Sequence, residues 1–396
     1  MNINVLNAKP RKRKIKKIGG STTKLLKNRK KNKIQYDQKR KKTIQKFNYI
    51  FITLILLLFI ILLLIIMKRK KKRKKLRIGV ISIFHDANAG SNLIKYAISV
   101  VLKEMGCIPY IIATNQLKIN LDFLNKTTNL ININEFREVK KEDYDILMVN
   151  SDQTWNKLDR NTFNYGFLRF AENWNMTKFV YGASLGHDYW FYSPSETDFA
   201  KRLIKQFKGI SVREKGSIEL IKQHLGITPE FVLDPTLLLG KKYYLDLVKK
   251  YSNKTYNNEK YIFLYHIWKN LKMEKFIREA ESKLNYKIYN YNLTKDLIIE
   301  DFLFYLYNSQ AVITDSFHGT VFSIIFNKPF TTFYARTQSV ERYKSLGELL
   351  QVQNRIFSPS QIPQLNLLVT PPNVDYSIIK EFRAKSLKFI KKNLDI

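Results

Sequence analysis

The chain has 396 residues, of which 45% are hydrophobic and 26% charged, ordinary globular composition and enough for one large domain or two of medium size. Its net charge of +36 points to nucleic acid only until that charge is located. Residues 1–46 hold 18 Lys or Arg against Asp37 alone, residues 68–77 hold nine against no acid, and residues 78–396 carry only +10, which excludes a broadly basic nucleic-acid-binding domain.

In chain order, residues 1–46 read as a basic disordered tail, and "FNYIFITLILLLFIILLLIIM" (47–67) follows it without a charge. About 20 apolar residues are what a helix needs to cross a bilayer core. A secretory signal has a shorter apolar part and ends in small residues, which these do not. The segment is therefore expected to be a transmembrane helix and the protein single-pass, with residues 68–77 as a basic stem. Both flanks are basic, so the positive-inside rule leaves the side of residues 78–396 open. Four sequons, at Asn125, Asn175, Asn253 and Asn292, suit a lumenal domain and also arise by chance in an Asn-rich chain. The flanks either contact anionic lipid head groups or only set topology and solubility. RNA ranks last, because no aromatic residues interleave the basic runs as stacking platforms, and no specific nucleic-acid partner is expected. The single Cys107 excludes an intrachain disulfide framework.

From Leu76 the pattern changes to strand, loop and helix in alternation. "RIGVISIF" is a buried strand, "NAGSNLIKYAISVVLKEMG" a Gly-containing turn entering an amphipathic helix, and "IPYIIAT" the next strand. "YDILMVNSDQTWN" and "KFVYGASLG" are strands that break into polar turns. "KGISVREKGSIELIKQHLG" gives strand, turn and helix, and "PEFVLDP" another strand. The alternation restarts at "YIFLYHIW" and continues through "YKIYNYN", a helix at 298–308, "AVITDS", a helix at 318–327 and "PFTTFYA", with closing helices at 340–351 and 375–393. Apolar strands alternating with helices indicate parallel sheets covered on both faces. The expectation is α/β, with two doubly wound Rossmann-like domains at 78–235 and 236–396, joined at "VLDPTLLLGKKYY".

Ligands of such sheets bind beyond the carboxyl ends of the strands. That singles out the loops at 88–92, 151–156 and 182–187, Arg213 with Glu214, Tyr265 with His266, and 315–320. In "ITDSFHGTVFSIIFNKPF" (313–330), His318 stands at the mouth of an apolar helix. Helix N-termini attract anions, and a histidine there can also pass a proton near neutral pH. The alternative is a histidine that only caps the helix. His85, His187 and His266 each follow a strand but lack metal-ligand spacing.

The same stretch resembles, nearly letter for letter, the strand-to-helix turn of the polysaccharide pyruvyl transferase family. Other blocks agree in order: "IGVISIFHDANAGSNLIKYAI", "NSDQTWN", "YGASLG", "ISVREKGSIELIK" and "FVLDPTLLL". The resemblance spans residues 77 to about 356. It departs from the family at Asn150, where Gly is common before "SDQ", and at Ile94, where Gln is common. Both lie in the half expected to handle the acceptor.

The resemblance implies a GT-B-like two-domain architecture, acceptor side first and donor side second. It implies transfer of a pyruvyl group from phosphoenolpyruvate to two hydroxyls of one sugar on a glycan or lipid-linked saccharide, forming a cyclic ketal and releasing phosphate. No metal or other cofactor is required. An anionic donor calls for fixed cations, and arginine binds phosphate or carboxylate bidentately. By matching position, Arg213 takes the donor's phosphate or carboxylate, unless it only pairs with Glu214 or another acid to organise the turn. His318 binds donor phosphate and moves a proton, with Ser316 and the Gly319 amide completing the anion pocket. Asp152 orients or deprotonates an acceptor hydroxyl, or closes an Asx turn. Asn88 and Gly90 contact donor or acceptor, unless Gly90 serves only the turn. Arg336 and Arg342 either add charge over the donor or lie on the surface, and Asp234 reads as a turn residue. Two other classes stay open: a nucleotide-sugar glycosyltransferase, against which stands the lack of an acidic pair suited to a ribose, and a non-catalytic membrane protein retaining the fold.

Overall fold

The computed structural model describes residues 21–69, 74–82, 89–114, 121–156, 160–268, 271–291, 298–334 and 340–396. The chain forms two units, Met1–Lys74 and Lys75–Ile396. In the first, helix α1 (Ser21–Arg69) runs from the basic segment into the apolar one. The disordered tail expected over 1–46 is thus helical from Ser21, and residues 1–20 lie outside the described part. The physical reason is compositional: residues 21–46 contain neither Gly nor Pro, and Lys, Arg and Gln are good helix formers. The stretch Arg29–Leu63 is long and apolar enough to cross a membrane, and its apolar window is wholly unburied.

The second unit is built on β-branched and aromatic strands. Those of the first sheet are β1 (Arg77–Ile81), β2 (Ile108–Thr114), β3 (Leu130–Ile133), β4 (Ile146–Val149), β5 (Thr177–Ala183), β6 (Gly209–Val212) and β7 (Glu230–Phe231). The second holds β8 (Tyr261–Tyr265), β9 (Lys287–Asn290), β10 (Ala311–Thr314), β11 (Phe330–Phe333) and β12 (Ile356–Phe357). Between them lie α2 (Ala89–Glu104), α3 (Leu121–Thr127), α4 (Arg160–Gly166), α5 (Pro194–Ile204), α6 (Lys215–Leu225), α7 (Pro235–Leu238), α8 (Lys241–Tyr251), α9 (Leu271–Leu284), α10 (Ile299–Asn308), α11 (Phe317–Ile325), α12 (Val340–Leu350) and α13 (Tyr376–Leu394).

The sheet orders are β3-β2-β1-β4-β5-β6-β7 and β12-β11-β10-β8-β9, with every pairing between named strands parallel. Strand order reverses between β1 and β4 in the first sheet and between β8 and β10 in the second. Such switch points leave a crevice at the carboxyl ends of the strands. One apolar cluster runs through both sheets, joining Ile78, Leu93 and Tyr181 to Phe263, Phe302 and Val321. The second unit therefore carries its own continuous core.

Two details differ from the expectation. "PEFVLDP" pairs only at Glu230–Phe231, because Asp234 turns the chain to cap α7. The closing helix α13 returns to the first sheet, where Phe389 packs on Phe179 and Tyr181 at ring distances of 6.4 and 6.3 Å. Ser386 Oγ accepts the Leu233 N–H at 3.0 Å on the same face. Phe389→Ala should therefore destabilise the Lys75–Ile396 unit by about 3–5 kcal/mol, read as a lower urea midpoint with secondary structure intact.

Candidate active site

The two switch points face one cluster of side chains. At the first, Asn150 Nδ2 donates to Ser82 Oγ (2.9 Å), tying the ends of β4 and β1. Asp152 follows with φ of 99°, a left-handed backbone that a non-glycine residue adopts only at a cost of about 1–3 kcal/mol. Strain of this kind persists where the surroundings over-determine it, which is common at functional sites. Its Oδ1 accepts from the Gln153 N–H at 3.0 Å and from Arg213 Nη2 at 3.2 Å.

Arg213 leaves the end of β6 with its side chain only 1% exposed. Nη1 donates to Asp234 Oδ2 at 2.5 Å, and Nε lies 3.9 Å from Glu214 Oε1. Burial disfavours the cation, but Asp234, Asp152 and Glu214 together more than offset it and raise its pKa. Glu214 is also buried, which pushes its carboxyl up against the opposing pull of Arg213 and of the Ser184 hydroxyl. Asp234 caps α7 through the Thr236 N–H (2.9 Å). Burial would raise its carboxyl, but His318, Arg213 and Thr236 outweigh that and hold it well below the usual range.

At the second switch point, Ser316 caps α11, its Oγ accepting the Gly319 N–H at 3.4 Å. The Gly319 amide expected to face an anion is therefore engaged by Ser316, because the short side chain reaches its own third amide first. The amides of Phe317 and His318 lie ahead of the intrahelical ladder. The His318 ring is buried, with Nε2 3.6 Å from Asp234 Oδ2 and without a hydrogen-bond partner among the described residues. Its other face meets the first turn of α2: a Cβ on Gly90 would overlap the imidazole, so only glycine fits. Two helix N-termini from different sheets thus meet at one histidine. Tyr265, at the end of β8, reaches both Ser316 and the Ala89 backbone, bridging the same two helices.

Two of these groups were named in the sequence without a settled role, and one, Lys95, was not singled out. Asp234, read as a turn residue, is the acid shared by Arg213 and His318. Arg342 is buried, and with Arg213 it places a guanidinium over the Phe317 ring, at 5.6 and 5.0 Å. Lys95, one turn into α2, is fully buried and donates to Ser91 Oγ (2.7 Å) and Ser91 O (3.1 Å). Burial pushes its ammonium down to about 7, against the pull of Asp152. A lysine within an otherwise apolar "LIKYAI" was the signal available. Asn88, His85 and Arg336 lie outside the described residues. His187 packs in an aromatic group with Tyr189 and Phe191, away from this cluster's hydrogen bonds. Among the described residues, no three His, Cys, Asp or Glu side chains are grouped as a metal would need.

The polysaccharide pyruvyl transferase family profile matches residues 22–335. The chain belongs to that family. The match contains Asp152, Arg213, Asp234 and His318, so the cluster lies within the family's shared part. No curated protein matches the chain in sequence. Among solved structures, S. aureus MnaA in a co-structure with UDP superposes with a TM-score of 0.50 at 14% identity, covering 81% of this chain and 97% of that one. Neisseria meningitidis UDP-GlcNAc 2-epimerase bound to UDP-GlcNAc gives 0.50 at 10% identity, with 80% and 99% covered. These likenesses carry the GT-B-like fold of two parallel sheets and nothing about substrates.

Removing Arg213 would leave the buried carboxylates of Asp152, Asp234 and Glu214 without their cation. Arg213→Ala should cost about 3–5 kcal/mol, and adding Asp234→Asn should restore part of it in a double-mutant cycle. The pH dependence has a definite sign, since the Asp234 carboxyl is held below its unfolded value. Its contribution is complete above the unfolded carboxylate pKa of about 4 and is lost as pH falls below it. Urea titrations of Asp234→Asn should accordingly show a flatter acid limb than the parent.

Proposed function

We propose that this member of the family is a membrane-anchored enzyme that transfers the pyruvyl group of phosphoenolpyruvate to a sugar as a cyclic ketal. The observation that carries the reading is the meeting of the α2 and α11 N-termini at His318, whose buried Nε2 lies 3.6 Å from Asp234 Oδ2 and makes no hydrogen bond among the described residues. Helix N-termini favour phosphate, and a buried ring nitrogen without a partner is costly unless something occupies it.

Arg213 was the expected donor ligand, but its Nη groups are committed to Asp234 and Asp152. In this reading it is a positioning residue that fixes both acids, and Lys95, itself held by Ser91, adds positive charge at the first turns of α2. In the reaction, the methylene carbon of phosphoenolpyruvate gains a proton and C2 becomes electron-poor. One sugar hydroxyl adds to C2, giving its proton to Asp152. The C2–O bond to phosphate breaks, with His318 donating to the departing oxygen. A second hydroxyl closes the ketal. Of the two hydroxyl protons, one ends on the new methyl group and the other on phosphate, so the overall step balances without an oxidant or a cofactor. The apolar helix α1 would hold the enzyme at a bilayer, where lipid-linked saccharides are at hand.

Calorimetric titration of phosphoenolpyruvate into the Lys75–Ile396 unit tests the reading. Saturable binding is expected, weakened at least tenfold, or about 1.4 kcal/mol, in His318→Ala. Donor binding should favour charged Lys95, so affinity should fall as pH rises through about 7, with a shallower slope in Lys95→Met. No heat from the folded parent, with heat from a nucleotide sugar instead, would replace this reading by a glycosyltransferase.

A further inference from the structure

Strands β8 and β10 are parallel neighbours, so Ile267 and Trp268, just after β8, lie on the edge that carries His318. After β8 come Ile267, Trp268 and Leu271, exposed by 43%, 48% and 81%. Soluble surfaces scatter such residues singly, and a group of them marks an interaction site. Their exposure is built into the fold. The Asp315 carboxylate accepts the backbone N–H of Ile267 at 2.6 Å and of Trp268 at 2.8 Å, which pins the turn beside the active site.

We propose that this rim is a bilayer-docking surface, seating the open edge of the active site against the membrane interface. The inference rests on reading α1 as a membrane helix and goes beyond it, since it assigns the catalytic unit a lipid contact of its own. Three observations select lipid as the occupant. An indole beside aliphatic side chains suits the interfacial layer, where its ring is buried and its N–H stays wet. On α9, which Leu271 opens, Lys272, Lys275 and Arg278 are exposed while Glu274 and Glu279 are half-buried, a small positive excess that suits anionic head groups. The ten residues from Lys68 to Arg77 span at most about 35 Å when extended, so a chain anchored by α1 keeps its catalytic unit near the bilayer. A tether of that length makes even a weak rim contact effective. An acceptor presented on a lipid carrier would then meet the site without leaving the membrane.

The test uses the Lys75–Ile396 unit, which has its own core and lacks both α1 and most of the basic stem. It is mixed with vesicles of phosphatidylcholine and phosphatidylserine at a ratio of about 7 to 3, and bound protein is measured by sedimentation. Trp268 is the most exposed of the four tryptophans, so its emission should shift to the blue on binding and be quenched by brominated lipid. Trp268→Ser with Leu271→Ser should reduce the bound fraction at least fivefold while leaving the heat of phosphoenolpyruvate binding unchanged. Failure of the parent to sediment with the vesicles overturns the proposal, as does equal binding by the double variant. Quenching of Trp268 by soluble saccharides without vesicle binding also overturns it and makes the rim a sugar platform. If vesicles bind and phosphoenolpyruvate does not, the donor assignment fails and the rim assignment stands.

Discussion

Arg213 is buried with its two Nη groups on carboxylates from different parts of the chain, Asp152 after β4 and Asp234 ahead of α7. Taking such charges out of water costs several kcal/mol each, so each of the three is tolerable only while the other two are in place. The rest of the site follows from that mutual dependence. Asp152 accepts a strained backbone to reach the cation, and Asp234 is fixed where it faces His318. Phe317 lies under the guanidinium, which ties the first turn of α11 to a cation held by the other sheet. The cluster therefore fixes the geometry between the two sheets as well as the charges.

Much of the fold was legible in the sequence because its central strands are unbroken apolar runs followed at once by polar turns. "RIGVI", "DILMV", "YIFLY" and "AVIT" could be read this way, and all four lie at the switch points that create the crevice. The outer elements were less legible. In "LININ" the asparagines interrupt the apolar pattern, as expected of a half-exposed edge strand, and β12 is only two residues long. The basic segment was misread because charge runs usually signal disorder, whereas here helix-forming residues continue without a break into an apolar helix.

At the site, the sequence marked His318 and Arg213, but their partners depended on the fold. Asp234 lies 21 residues from Arg213 and 84 from His318, and only the return of the chain ahead of α7 brings the three together. The close approach of Gly90 to His318 joins two helices from different sheets and leaves no local trace in either segment. Lys95 was overlooked because a lysine in a helix is normally solvated. Here the side chain folds back one turn onto Ser91 and is sealed in. The family assignment and the geometry thus carry different parts of the account: the former names a pyruvyl transferase, and the latter says which groups hold one another in place.

The measurement that bears most directly on this account is a crystal structure of the Lys75–Ile396 unit grown with phosphoenolpyruvate. The account predicts the phosphate at the first turn of α11, within hydrogen-bond distance of His318 Nε2, with the Arg213 pairs to Asp152 and Asp234 unbroken. Donor bound with Arg213 released from both acids would contradict the division of roles proposed here. Donor bound away from His318 would contradict the site itself.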